Sequence, residues 1–158
     1  MKSGESKSKI LVVDDEIKAC GLLKKFLERK NYSVETANSG EEALHKIKEF
    51  DPAVVLLDIL MPGIRGDKII KLIKKWKPEL EVLVTTAVME KETHDFFKNE
   101  GAFSCVQKPL HYDSLIEEIE VALVYRNQNL GAASNPVPTL EWKDITEKIL
   151  QLKETAPV

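Results

Sequence analysis

Five short apolar runs recur along the chain, and each is followed by a segment in which apolar residues have helical spacing. The runs predict strands over residues 10–13, 32–37, 53–57, 82–84 and 103–106. The helical spacing predicts helices over 16–30, 66–76, 90–100 and 113–126, and a further helix directly after Ser39. Strands that are apolar on both faces and alternate with helices predict an α/β three-layer sandwich, in which helices cover both faces of a parallel sheet. The most apolar run, 53–57, is predicted to be the central strand.

Two of the predicted helices carry additional signals. Ser39 and Glu42 have the spacing of a capping box, which predicts the start of the second helix. The segment 90–100 offers a thin apolar face with Phe96 and Phe97, so we expect this helix to be weakly docked. Gly101 is predicted to end it.

The composition changes after the fifth predicted helix. We expect a domain at 8–127, a linker rich in glycine and proline at 128–138, and an amphipathic C-terminal helix at 139–154. The last helix would be capped by Thr139. One apolar stripe on it is formed by Trp142, Ile145, Ile149 and Leu152. The spacing leaves two interpretations open: a helix that packs on its own domain or frays in solvent, or a surface for a dimer or another partner.

Composition and charge exclude several classes of protein. The chain has 158 residues, of which 43% are hydrophobic and 31% charged, so it can form a core. A net charge of −3 argues against direct nucleic-acid binding, which favours basic surfaces. The polar N-terminus lacks the apolar core of a signal peptide, and no apolar run is long enough to span a membrane. Cys20 and Cys105 form no disulfide framework, which indicates free thiols in a reducing cytoplasm.

Chemically reactive residues follow four of the predicted strands. They are Asp14 and Asp15, Asp58, Thr86, and Lys108. Alone, each has a structural explanation, such as a helix cap or a solvated charge. Because parallel strands end at the same edge of a sheet, we expect these side chains to meet there.

Three converging carboxylates repel one another and therefore favour a bound cation, above all Mg²⁺. A magnesium site with a lysine and a hydroxyl suits phosphoryl chemistry, in which a carboxylate itself can be the nucleophile. Asp58 is the best candidate, because it ends the most buried strand and precedes a turn sequence at Pro62 and Gly63.

Four segments in register resemble the signature segments of response regulator receiver domains. They are Ile-Leu-Val-Val-Asp-Asp-Glu at 10–16, Leu-Asp-Ile-Leu-Met-Pro-Gly at 57–63, Val-Thr-Thr-Ala at 84–87 and Lys-Pro-Leu at 108–110. The resemblance covers about residues 8–127. It implies the flavodoxin-like fold, with five helices around a five-stranded parallel sheet of order 2-1-3-4-5.

The resemblance also implies a role for each site residue. Asp58 would accept a phosphoryl group from the phosphohistidine of a sensor histidine kinase or phosphotransfer protein. Asp15, Asp58 and the backbone carbonyl of Leu60 would ligate Mg²⁺ directly, and Asp14 mainly through water. Lys108 would pair with the phosphoryl oxygens, and Thr86 would move toward them. The Lys108–Pro109 peptide is expected to be cis.

Phosphorylation would then shift the fourth strand, fourth helix and fifth strand, whose surface selects a downstream protein partner. Such a protein would be no enzyme beyond its own phosphorylation and dephosphorylation.

Three features depart from the family pattern. Cys105 occupies the usual position of an aromatic switch residue, which puts that part of the switch in doubt. Leu60 and Val88 are apolar and would flank the phosphoryl group, so we expect a long-lived aspartyl phosphate. The residues after the fifth helix are too few for an effector domain, and whether the chain is a whole gene product stays open.

Other functions are weaker candidates. A haloacid-dehalogenase-type Mg²⁺-dependent phosphatase needs Asp-x-Asp after its first strand, where this chain has adjacent Asp14 and Asp15. A pseudo-receiver that binds partners without phosphorylation does not need the complete set of site residues. A flavodoxin needs a phosphate loop after the first strand. The basic residues around Trp76 and the three histidines are more typical of surface or packing positions.

Overall fold

The computed structural model of the chain describes residues 7–87, 90–130 and 140–155. Its five strands form one parallel sheet in the order β2-β1-β3-β4-β5. The strands are β1 (Lys9–Val13), β2 (Ser33–Ala37), β3 (Val54–Asp58), β4 (Glu81–Thr86) and β5 (Ser104–Gln107). The predicted sandwich, the strand order and the central place of the third strand are confirmed.

Within the described residues, six helices cover the sheet. They are α1 (Ile17–Arg29), α2 (Gly40–Phe50), α3 (Gly66–Trp76), α4 (Lys91–Asn99), α5 (Tyr112–Leu130) and α6 (Trp142–Thr155). Helices α1 and α5 pack on one face of the sheet, and α2, α3, α4 and α6 contribute to the apolar cluster on the other face. The described helices include none that is long and apolar enough to cross a membrane.

Strand β3 shows why the sheet needs cover on both sides. All five of its residues are buried. Val55 and Leu57 belong to the cluster under α2 and α3, whereas Val54 and Leu56 belong to the cluster under α1 and α5. Successive side chains of a strand point to opposite faces, so an uninterrupted apolar run requires an apolar layer on each face.

Of the two hydrogen bonds of the predicted capping box at the start of α2, the one to the Ser39 hydroxyl is confirmed and the one to the Glu42 carboxylate has a different donor. The Ser39 hydroxyl accepts a hydrogen bond from the Glu42 backbone N–H at 3.1 Å. The Glu42 carboxylate accepts one at 3.0 Å from the N–H of Asn38, one residue before the cap. The carboxylate therefore fixes the chain where it leaves β2.

Helix α4 has the expected thin apolar face. Phe97 is its buried residue, while the neighbouring Phe96 stays 41% exposed. This shallow packing leaves α4 with little apolar anchorage to the sheet.

Helix α5 is longer than predicted. It continues through Leu130 rather than ending at residue 126, so residues 128–130, assigned to the linker, are helical. The reason is that residues 127–130 contain no glycine or proline, and the Asn129 amide donates to the Tyr125 carbonyl at 2.7 Å. The rest of the predicted linker and Thr139 lie outside the described residues, and the domain limits stay a prediction.

Helix α6 begins at Trp142 rather than at the predicted residue 139, because the Glu141 N–H before its first turn donates to the Asp144 carboxylate at 2.9 Å. It packs on its own chain. Ile145 and Ile149 are buried in the cluster under α2 and α3, and Trp142 and Leu152 pack against the same cluster. Of the interpretations left open for the apolar stripe, the structure therefore shows packing on the chain's own domain.

Candidate functional site

The three predicted aspartates converge at one edge of the sheet. Asp14 and Asp15 follow β1, and Asp58 is the last residue of β3. Each carboxylate offers one oxygen that lies within 4.8 Å of the others. Asp14 and Asp58 are buried, whereas Asp15 is exposed, so the cluster opens to solvent on the Asp15 side.

Lys108 reaches the same cluster from the loop after β5. Its Nζ lies 3.1 Å from Asp14 Oδ2 and 3.0 Å from Asp58 Oδ2. Partial burial lowers the pKa of Lys108, but hydrogen bonds to Asp58 and Asp14 together with their negative charge outweigh this effect and leave the pKa raised. The ammonium group is therefore fully charged at neutral pH.

Backbone groups orient the two buried carboxylates. Asp58 Oδ1 accepts a hydrogen bond from the Leu60 N–H at 2.9 Å, and Asp14 Oδ1 accepts one from the Glu16 N–H at 2.9 Å. Each carboxylate thus has one oxygen hydrogen-bonded to the backbone of its own loop and the other oxygen hydrogen-bonded to the Lys108 ammonium. This arrangement limits side-chain rotation before any ligand binds.

Thr86 ends β4, as predicted, and is completely buried. Its carbonyl accepts a hydrogen bond from the Lys108 N–H at 2.7 Å, which ties the end of β4 to the loop after β5. The Lys108–Pro109 peptide is cis, as expected. The backbone thus links the two residues that are predicted to contact a phosphoryl group.

Sequence reasoning missed two residues that position Asp14. The Asn38 amide donates to the Asp14 carbonyl at 2.9 Å, and the Cys20 thiol donates to the same oxygen at 3.3 Å. Burial, followed by the charge of Asp14, raises the pKa of Cys20 to about 11, so the thiol stays protonated at neutral pH. Asn38 follows β2 directly, so the strand-end argument already applied to the other strands would have found it.

The three residues that depart from the family pattern lie in different places. Leu60 is 62% exposed beside Asp58. Cys105 is half-buried in β5, where its thiol contacts the carbonyl of His94 at 3.7 Å. Val88 lies outside the described residues.

The donor set fits a hard divalent cation. Three carboxylates carry more negative charge than the single Lys108 ammonium balances, and all their ligand atoms are oxygens. Mg²⁺ prefers such a set, with waters or phosphate oxygens in the remaining positions. The exposed Asp15 side leaves room for those positions.

The basic residues around Trp76 form ion pairs with acidic neighbours. Lys71 lies 3.2 Å from Glu100, and Lys77 lies 3.5 Å from Asp51. This local compensation supports the interpretation of these lysines as surface residues.

Comparison with known proteins identifies relatives in sequence and in fold. The pattern of the family described as "Response regulator receiver domain" matches residues 10–120. The chain is 38% identical over 116 residues to the transcriptional regulatory protein ZraR of Escherichia coli K12, a match that covers 73% of this chain and 26% of ZraR. It is 39% identical over 139 residues to the transcriptional regulatory protein CpxR homolog of Haemophilus influenzae, covering 88% of this chain and 60% of that protein. The chain therefore spans less than two thirds of these relatives.

Solved structures show the same architecture. A CheY-like response regulator receiver domain protein from Methanospirillum hungatei superposes with a TM-score of 0.74 at 29% identity, over 78% of this chain and 99% of that one. NtrX from Brucella abortus, crystallised with ATP, gives a TM-score of 0.74 at 32% identity, over 78% of this chain and 28% of NtrX.

Proposed function

The chain belongs to the response regulator receiver domain family, and from this premise we propose that it accepts a phosphoryl group on Asp58. The donor would be a phosphohistidine of a sensor histidine kinase or a phosphotransfer protein. The observation that carries the proposal is the convergence of Asp14, Asp15 and Asp58 within 4.8 Å, with Lys108 bound to two of them.

In the transfer, an Asp58 carboxylate oxygen attacks phosphorus and forms the P–O bond of an acyl phosphate. The P–N bond breaks, and its electron pair leaves with the imidazole of the donor. Asp14, Asp15, Asp58 and the Leu60 carbonyl would hold Mg²⁺, which when bound neutralises negative charge on the phosphoryl oxygens. Lys108 contributes a second positive charge, and its present contact with Asp58 gives way to contact with the phosphoryl group.

Output would follow from the added charge. The phosphoryl group adds nearly two negative charges next to Lys108 and draws Thr86 toward it. Because the Thr86 carbonyl is bonded to the Lys108 N–H, the ends of β4 and β5 move together. The shallow packing of α4 supports its role as the element that shifts and presents a new surface to a protein partner. We place this signalling in the cytoplasm.

The test is phosphorylation by a small donor. Incubation with Mg²⁺ and acetyl phosphate is expected to give one phosphoryl adduct by intact-protein mass spectrometry. Asp58→Asn should abolish the adduct, whereas Asp67→Asn, a similarly buried aspartate that is bound to Arg65 outside the site, should keep it. An adduct on both variants or on neither contradicts the assignment.

The same experiment separates the alternatives. Steady release of inorganic phosphate over many turnovers would indicate a phosphatase with an aspartyl-phosphate intermediate. Failure of the wild type to form any adduct would indicate a binding module that works without phosphorylation.

A further inference from the structure

Helix α6 runs from the C-terminal ends of α2 and α3 toward the edge of the sheet that carries the acidic site. Near its start, the Trp142 ring lies 5.3 Å from the ring of Trp76, which ends α3. The ammonium of Lys48, in the last turn of α2, lies 5.3 Å from the centre of the same Trp142 ring. Near its end, Lys153 Nζ lies 3.1 Å from the carboxylate of Glu41 in the first turn of α2. The helix is therefore antiparallel to α2.

The end of α6 lies beside the loop that follows the proposed phosphoacceptor, residues 59–65, which we call the β3–α3 loop. Lys153 lines a cleft there together with Ser39, Gly40, Glu41, Pro62, Gly63 and Ile64. The apolar loop residues Ile59, Met61 and Ile64 belong to or pack against the same apolar cluster as Ile145 and Ile149 of α6. The loop and the helix thus share one piece of the core.

The β3–α3 loop carries groups that the acidic site needs. Its Leu60 N–H binds Asp58 Oδ1 at 2.9 Å, and the Leu60 carbonyl is a proposed Mg²⁺ ligand. Gly63 in the same loop has a φ of +96°, a backbone conformation with wide freedom in a glycine. A helix that restricts this loop lowers the entropy lost when the site binds a cation.

We propose that α6 is a positioning element for the acidic site, and that its docking on the α2–α3 face and Mg²⁺ binding at Asp14, Asp15 and Asp58 favour each other. The inference rests on the proposed function of these aspartates. Linkage makes the coupling reciprocal, so undocking α6 weakens Mg²⁺ binding and Mg²⁺ strengthens docking.

The chain carries a built-in reporter of this docking. It has two tryptophans, Trp76 and Trp142, and they are the pair in contact between α3 and α6. Intrinsic tryptophan fluorescence therefore reports whether α6 is docked.

The test compares identical substitutions at adjacent positions of α6. Ile149→Asp places a charge at a side chain that is 3% exposed, whereas Leu150→Asp alters one that is 63% exposed. In the full chain, Ile149→Asp should change the tryptophan emission, raise the dissociation constant for MgCl₂ by about threefold or more in calorimetry, and speed amide exchange in residues 59–65. Leu150→Asp should behave as the wild type in all three measurements.

An Ile149→Asp protein with altered emission but wild-type Mg²⁺ affinity and loop exchange would overturn the coupling. If that variant loses exchange protection in the central strands, Ile149→Ala and Lys153→Glu replace it under the same criteria. A wild type that does not bind Mg²⁺ would remove the proposed function itself, whereas equal binding by wild type and undocked variant removes only this inference.

Discussion

The Lys108 ammonium lies where a divalent cation would share the same carboxylates. It is 3.0 Å from Asp58 and 3.1 Å from Asp14, so it stabilises these two carboxylates and opposes a second positive charge beside them. Its charge helps phosphoryl transfer but weakens metal binding.

Replacing Lys108 by methionine should therefore strengthen Mg²⁺ binding while it slows phosphorylation. We expect the dissociation constant for Mg²⁺ to fall on the order of tenfold, about 1.4 kcal/mol, because the competing charge is gone. Calorimetric titration at fixed ionic strength measures it, with Lys25→Met on the exposed side of α1 as the control for the loss of one positive charge. Weaker or unchanged binding in Lys108→Met would contradict the competition.

Leu60 is the residue that we expect to protect the aspartyl phosphate. Its N–H is bound to Asp58, and its side chain is 62% exposed next to the acidic site. Leu60→Asn replaces an apolar surface by an amide that can hydrogen-bond an attacking water, so dephosphorylation should accelerate several-fold. Decay of the adduct after removal of donor measures the rate, and Leu150→Asn, a leucine of like exposure on α6, is the control. Equal decay in Leu60→Asn and wild type would sink this prediction.

The site residues that lie at the ends of strands could be predicted from the sequence. Asp14, Asp15 and Lys108 follow strands, Asp58 and Thr86 end them, and the structure brings the three carboxylates and the Lys108 ammonium together. The role of Cys20 was not predictable, because its thiol binds the Asp14 carbonyl, and a backbone acceptor leaves no trace in the sequence.

At the scale of elements, a local signal fixed the start of α2, whereas no local signal fixed the end of α5 or the start of α6. Ser39 and Glu42 predicted the start of α2 because a capping box is a local interaction. The end of α5 was wrong because the prediction ended the helix where the composition changes after residue 126, whereas residues 127–130 contain no glycine or proline that would end it. The stripe of α6 predicted a buried face, but the surface that buries it depends on the folded domain.

The cap of α2 gives a test at this scale. Ser39→Ala removes the oxygen that accepts from the Glu42 N–H, so the free energy of unfolding should fall by about 1 kcal/mol. Urea denaturation followed by circular dichroism measures the loss. Ser114→Ala, at an exposed position of α5, should change it by less than about 0.5 kcal/mol. Equal stabilities of the two variants would show that the capping bond contributes nothing.

At the scale of the whole molecule, the alternation of strands and helices predicts the three layers on physical grounds, since each face of the sheet needs an apolar cover. The strand order came from the family resemblance, because periodicity does not say which strands are neighbours. The buried polar contacts between layers could not be predicted either, because periodicity does not say which elements lie next to each other. One of them joins α3 to the start of β4, where Glu81 Oε1 lies 3.6 Å from Lys74 Nζ.

Glu81 makes the stability of the fold depend on pH. Burial raises its pKa above 4.5, and the charge of Lys74 and the more distant Arg126 offsets only part of this effect. A folded-state pKa above the unfolded one means that the folded protein binds more protons, so Glu81 contributes stability below pH 4.5 that is lost as the pH rises through its raised pKa.

Burial lowers the pKa of Lys74 from 10.5, and the charge of Glu81 offsets only part of this effect. The contribution of Lys74 to the free energy of unfolding therefore changes with pH in the opposite sense and at alkaline pH. Of the two residues, Glu81 is the one that acts in the acidic range. Glu81→Gln removes the titrating carboxyl group. The free energy of unfolding of Glu81→Gln should therefore rise relative to that of the wild type as the pH is raised from 4 toward neutrality. Urea unfolding at a series of pH values measures the difference, with Glu92→Gln on the exposed side of α4 correcting for the loss of one negative charge. If the difference between Glu81→Gln and wild type stays constant over that range, Glu81 is not the buried acid that couples folding to protons.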